Sequence, residues 1–166
     1  MRKLLCIAIS LVLVLSMLTA CSAKPQDFTW NGLTVTLDSS FVEHEIDQEA
    51  ASYASYFKMY VVVISYETVD SLVDLGYEAN MTVEDYAKLS IEVNEFDAEV
   101  KTTDGITYYN YTGNADGTDY TYMATVHLLG NSFWLVQFAA ETKDYQKAEP
   151  QFIEWAKTVT YAEATA

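Results

Sequence analysis

FWLVQFAAETKDYQKAEPQFIEWAKTV occupies residues 133–159, and it contains both kinds of apolar pattern on which the fold depends. Residues 133–139, FWLVQFA, are apolar almost without a break. A strand with one wet face alternates, whereas a strand covered on both faces has no need to. Farther on, Phe152, Trp155, Ala156 and Val159 recur at i, i+3, i+4 and i+7, the stripe of an amphipathic helix. Pro150 suits a first helical turn, so the helix is expected over 150–159. A second unbroken run, YVVVISY at 60–66, predicts another strand buried on both faces.

A sheet covered on both sides needs two helical layers. The second layer is TVEDYAKLSIEVNEF, starting at Thr82. Thr82 followed three residues later by Asp85 is a loose capping box, and Val83, Tyr86, Ala87, Ser90, Ile91 and Asn94 share one helical face. Gly76 follows the short pattern VDSLVDL and reads as a helix stop. Asn31-Gly32, Asp104-Gly105, Asp116-Gly117 and Gly130-Asn131 each separate two strand-like segments and suit the positive φ of two-residue hairpin turns. The last three predict a four-stranded antiparallel meander over about residues 98–140. No glycine is left to build a phosphate cradle. The expected class is α+β, an α/β/α sandwich with a mainly antiparallel twisted sheet flanked by helices.

The order is N-terminal hairpin, strands, helix, long meander, then a final strand and a closing helix carrying Tyr145 and Pro150. In this order, residues 28–161 resemble the PsbP-like (Mog-type) domains of small lipoproteins in Gram-positive bacteria. The resemblance implies a fold and not an activity. Known members include a photosystem subunit and a small-GTPase binder, so it implies an accessory or binding role. No motif of theirs maps onto this chain, and no site residue is carried over.

The N-terminus sets an expected address. Arg2 and Lys3 precede an almost wholly apolar run from Leu4 to Leu18, and the chain turns polar directly after Cys21. That is the layout of a secretory signal, and the run is slightly short of the roughly 20 residues of a membrane span. Leu18-Thr19-Ala20-Cys21 resembles the lipobox of bacterial lipoprotein signal peptides. The resemblance implies cleavage before Cys21 and acylation of its thiol, with palmitate or a similar chain. The expected organisation is a signal peptide over 1–20, a short lipid-anchored tether over 21–27, one domain over 28–161 and a polar tail over 162–166. Seven residues of tether hold the domain within roughly 25 Å of the bilayer. The partner at this end is the lipid bilayer, through Cys21, and the location is the cell membrane, facing outside the cytoplasm.

Loss of residues 1–20 removes Arg2 and Lys3 and no acid, so 9 basic residues fall to 7 against 24 acidic ones and the net charge becomes −17. Such a chain repels nucleic acid and anionic headgroups. Cys6 leaves with the signal, so only Cys21 remains and no intrachain disulfide is available. Stability must come from the core.

Chemistry is sparse. There is no G-x-S-x-G and no H-E-x-x-H, and no cofactor is implied. His44 shares a strand face with Val42 and Ile46, and His127 alternates with Thr121, Met123 and Thr125; both read as structural. Glu43, Glu45, Asp47 and Glu49 fall on the face opposite His44. Same-face neighbours stand about 6.8 Å apart, too wide for one Ca²⁺. These acids form either a solvated edge or a docking face for a cationic protein or peptide. Asn114, Asp116 and Asp119 lack the spacing of a calcium loop and read as a hairpin turn. Tyr108, Tyr109, Tyr111, Tyr120 and Tyr122 crowd two strands; Tyr109 and Tyr111 are candidates for a groove taking a sugar or peptide. Tyr120 and Tyr122 share a face with Ala124, Val126 and Leu128 and read as core. The leading reading is a non-enzymatic binding or accessory module of the cell envelope. Its alternatives are a hydrolase-like enzyme with a carboxylate/His site invisible as a motif, and a purely structural envelope protein.

Overall fold

A computed structural model describes residues 24–47, 50–55 and 59–162. In chain order the elements are β1 (Pro25–Trp30), β2 (Leu33–Asp38), β3 (Val42–Asp47), β4 (Ala50–Ser55), β5 (Tyr60–Thr68), α1 (Val69–Asp74), α2 (Val83–Val93), β6 (Lys101–Thr103), β7 (Ile106–Ala115), β8 (Thr118–Leu129), β9 (Ser132–Glu141), α3 (Tyr145–Ala156) and β10 (Thr160–Tyr161). Seven strands form one sheet in the order β3-β4-β5-β9-β8-β7-β6, and β1-β2-β10 form a second. Every pairing is antiparallel.

The turn chemistry explains the meander β6-β7-β8-β9. Asp104 (φ 52°) with Gly105 (83°), and Asp116 (50°) with Gly117 (82°), place both central residues in the left-handed region, as a type I′ hairpin requires. Asn31 and Gly32 do the same between β1 and β2, at 48° and 88°. Asn114 caps the second turn: its Oδ1 accepts the Gly117 N–H at 3.1 Å, and its Nδ2 donates to Asp119 at 2.7 Å. Those bonds tie Asn114 and Asp119 into the hairpin turn.

Strand β9 lies beside β5 and has a helical layer on each face. Trp134, Val136, Phe138 and Ala140 point into a core closed by α3, and Phe133 points into another closed by α1 and α2. Strand β5 is covered less evenly. Val62 and Ile64 are fully buried, while Val61 and Val63 are only half-buried. Helix α2 packs over β7 and β8, and α1 reaches β5 itself. The expectation of burial on both faces therefore holds for 133–139 and only in part for 60–66.

Helix α3 also begins earlier than Pro150. It starts at Tyr145 because Tyr145 and Ala148, both buried, extend the apolar stripe by more than a turn. Pro150 thus sits inside the helix and cannot donate to the Gln146 carbonyl; Gln146 is exposed, so water can satisfy that group. At the other end of the domain, β1 begins at Pro25. Residues 25–27, read as tether, pair with Asp38, Leu37 and Thr36.

The first and last strands of the described domain meet across β2, which pairs with β1 on one side and β10 on the other. The Thr36 N–H donates to Thr158 Oγ1 at 2.9 Å, and the Ala162 N–H to the Gly32 carbonyl at 3.0 Å. The Tyr161 ring lies over two hairpin glycines. A Cβ on Gly32 would stand 3.1 Å from Tyr161 Cε2, and one on Gly130 2.9 Å from Cε1. Only glycine lets that ring settle there.

Candidate functional site

The acidic strand is the outermost strand of the large sheet. Glu43 is exposed there, and Glu45 and Asp47 belong to the same strand, but the register shifts between them. A bulge interrupts the period of two on which a single acidic face rested. Glu49 lies outside the described residues, as does Cys21. Val42, at 53 %, and His44 are both exposed. The face expected to bury His44 is an open edge, since the helices cover other strands.

The tyrosines assemble into packing. Tyr109 is 1 % exposed, and its hydroxyl shares a hydrogen bond with Ser90 on α2 at 2.7 Å. Tyr111 lies between Phe96 (centroids 4.2 Å, planes 8° apart) and Tyr122 (4.7 Å, 6°), and its hydroxyl donates to Gln137 at 2.6 Å. Neither ring keeps a free face for a sugar to stack on. Burial pushes both hydroxyls above the ordinary tyrosine range. Tyr86 completes the set: its ring stacks on Phe133 at 4.5 Å and its hydroxyl donates to Glu67 at 2.8 Å. Leu128, expected in this core, is 44 % exposed.

His127 is also structural. The Thr125 hydroxyl donates its proton to the Val136 carbonyl at 2.9 Å, so it receives its bond at 3.0 Å from a protonated His127 Nε2. Burial lowers the imidazole to about 4, so it is neutral near pH 7.

Three open concavities lie along α2 and the loops flanking it. One cleft of about 440 Å³ is lined by Gly76, Tyr77, Glu78, Asn80, Met81 and Asp85. A second, of about 340 Å³, runs between α2 and residues 98–100 and includes Glu84, Lys88, Glu92 and Glu99. A third, of about 300 Å³, is lined by Asp97, Ala98, Glu99, Lys101 and Asn110. Each of these three contains at least two carboxylates and no histidine. No group of three or more His, Cys, Asp or Glu suited to a metal ion occurs among the described residues.

The first cleft is built on a fixed backbone. Gly76 (φ 95°) ends α1 in a Schellman motif: the Gly76 N–H bonds the Val73 carbonyl at 2.9 Å and the Tyr77 N–H bonds the Leu72 carbonyl at 3.0 Å. The next helix opens on the expected capping box, with Thr82 Oγ1 accepting from the Asp85 N–H and Asp85 accepting from the Thr82 N–H. Between the two motifs the chain turns back outside the cores. Residues 73–80 are exposed without interruption, including Val73 at 43 %, Leu75 at 73 % and Tyr77 at 37 %. Sequence reasoning took VDSLVDL and Gly76 only as a helix and its stop.

No family model matches the chain, and no curated protein matches it by sequence. Solved structures do match in fold. A Bacteroides thetaiotaomicron protein aligns with a TM-score of 0.57 at 16 % identity, covering 82 % of this chain and 48 % of that one. This chain therefore spans about half the length of that protein. The Ran-binding protein Mog1p of Saccharomyces cerevisiae aligns at 0.56 with 8 % identity, over 84 % of this chain and 96 % of its own. Cyanobacterial PsbP (CyanoP) of Synechocystis aligns at 0.52 with 12 % identity, over 87 % and 96 %. The domain has a PsbP/Mog1p-like α+β fold, as the order of its segments led us to expect.

Proposed function

We propose that this chain is a lipid-anchored, extracytoplasmic binding or accessory module of the cell envelope, not an enzyme, and that its partner is a cationic protein or peptide. The observation that carries the binding reading is the acidic lining of the three open clefts around α2, set on a chain of net charge −15. A general acid–base site wants a titratable group poised near its working pH. His127 is held neutral and hydrogen-bonded to Thr125, away from any of these clefts. Carboxylates in open clefts suit recognition of positive charge, with faster association at low salt. Mog1p, which shares the fold, is named for binding another protein.

The address rests on the lipobox-like Leu18–Cys21 and the apolar run before it. With β1 starting at Pro25, an acylated Cys21 would hold the domain within about 14 Å of its anchor. Replacing Cys21→Ala is expected to abolish labelling by a radioactive fatty acid and to release the domain or leave its signal uncleaved. Equal labelling of both forms would refute the anchor. The binding reading is tested by association with cationic peptides at two ionic strengths. A rate that does not fall with added salt would leave the acidic clefts without a role in recognition.

A further inference from the structure

We infer that the projecting corner between α1 and α2 is the docking surface, and that it takes a basic, amphipathic peptide segment of a partner protein: an apolar side chain against Leu75 and Tyr77, with flanking Lys or Arg meeting Asp74 and Glu78. The inference rests on the binding reading above and assigns it to a place. Leu75, at 73 %, is the most exposed large apolar side chain among the described residues, and Val73 and Tyr77 accompany it within one turn of chain. Tyr77 lines the cleft of about 440 Å³ and the exposed Leu75 stands two residues before it in the chain, so an apolar anchor and a concavity share one corner. The corner is also rigid. The Schellman motif on one side and the capping box on the other hold its backbone, so little ordering entropy is lost on binding.

Charge selects the occupant. Between residues 69 and 87 there are five carboxylates, Asp70, Asp74, Glu78, Glu84 and Asp85, and no Lys, Arg or His. Three are already engaged: Asp70 by Asn131, Glu84 by Lys88, and Asp85 by Thr82. The side chains of Asp74 and Glu78 have no hydrogen bond or ion pair among the described residues. A neutral or anionic surface pressed onto Leu75 would desolvate both without compensation. A second copy of this chain, at −15, and an anionic membrane are both repelled. A cationic segment gains from the apolar contact and from the charges together. Its small footprint fits a transient complex that forms fast and dissociates fast.

The test uses the full chain and three defined 18-residue probes: an amphipathic Leu/Lys helix, a Ser/Lys peptide of equal charge, and a Leu/Glu helix. Binding is read by fluorescence anisotropy at two salt concentrations. The Leu/Lys probe is expected to bind at least about tenfold tighter than either of the others. Leu75→Ser should weaken it about tenfold. The pair Asp74→Asn and Glu78→Gln should weaken it and flatten its salt dependence, while Glu43→Gln on the edge strand should change nothing. Thermal melts of these surface variants should match wild type. If Glu43→Gln weakens binding as much as Glu78→Gln and Leu75→Ser is silent, the corner is not the site, although the binding reading survives. If no cationic probe binds in a salt-dependent way, both fall. Self-association at micromolar concentration, or displacement of the probe by a neutral oligosaccharide, would assign the corner to another occupant and overturn the inference.

Discussion

The two faces of the large sheet solve the same burial problem with different chemistry. Under α3 the core is hydrocarbon and ring edge. Phe152 meets Tyr60 at 5.2 Å and Phe138 at 5.5 Å, and Trp155 meets Phe41 at 5.3 Å with planes 87° apart. Under α2 the rings are mostly tyrosines, and their hydroxyls are spoken for: Tyr86 by Glu67, Tyr109 by Ser90, Tyr111 by Gln137. The α3 layer is held mainly by area and shape, and at its margin the Tyr145 hydroxyl donates to Asn110 on β7 at 3.0 Å. The α2 layer is held by directed bonds as well, which set the register of helix on sheet. A helix located by hydrogen bonds is a firm base for a corner that must present Leu75 and Glu78 in one geometry.

The largest expected effect breaks the α3 face. Trp155→Ala or Phe152→Ala removes a ring that is 6 % or 0 % exposed and should cost about 3–5 kcal/mol, a large part of the 5–15 kcal/mol typical of a domain. Chemical denaturation measures it. A loss below about 1 kcal/mol would mean that α3 is not the wall of that core.

Next comes pH. His127 lies on the α3 side of the sheet with Met123 and Thr125, and its imidazole falls from 6.5 to about 4 in the fold. Its unfolded form therefore takes up a proton first. Stability is unaffected above pH 6.5 and declines as pH falls from 6.5 toward 4, by about 2–3 kcal/mol. His127→Gln keeps a donor for Thr125 and should remove that part of the acid sensitivity. Parallel pH profiles for the two proteins would contradict the burial of a neutral imidazole.

Smaller effects separate the faces hydroxyl by hydroxyl. Tyr109→Phe leaves Ser90 without its partner and should cost about 1 kcal/mol. Tyr53 faces the α3 core, where its buried hydroxyl has no partner among the described residues and burial pushes it up to about 12. Tyr53→Phe should therefore be neutral or should stabilise by up to about 1 kcal/mol. Equal losses for the two substitutions would erase the distinction between the faces.

Much of this architecture was legible because it follows from local rules. Asp-Gly and Asn-Gly pairs can take positive φ twice in succession, so three hairpins could be placed before any contact was known. Thr82 and Asp85 announced a helix start, and the unbroken apolar run at 133–139 announced a strand with two cores. What was not legible depended on neighbours far along the chain. Val61 and Val63 read as buried because nothing in YVVVISY says that α2 lies elsewhere. Pro150 read as a helix start because the inward positions of Tyr145 and Ala148 are known only once the sheet is there. The surroundings of the candidate site residues were hidden for the same reason. Period-two alternation from Glu43 onward ends at a bulge, and Tyr109 is buried under α2 while Tyr111 is half-buried against Phe96. Leu75 attracted no notice because an exposed leucine becomes conspicuous only when its surroundings are seen.

The meeting of the domain's first and last strands on β2 has a consequence for how this domain comes into being. The Thr36–Thr158 bond spans 122 positions, and Tyr161 seals the hairpins at Gly32 and Gly130 only after everything between them has been made. A nascent chain that stops short of α3 has a meander with one face bare and a first hairpin lacking its third strand. Closure thus waits for Thr158 and β10, and the sequence separation of its contacts makes it slow.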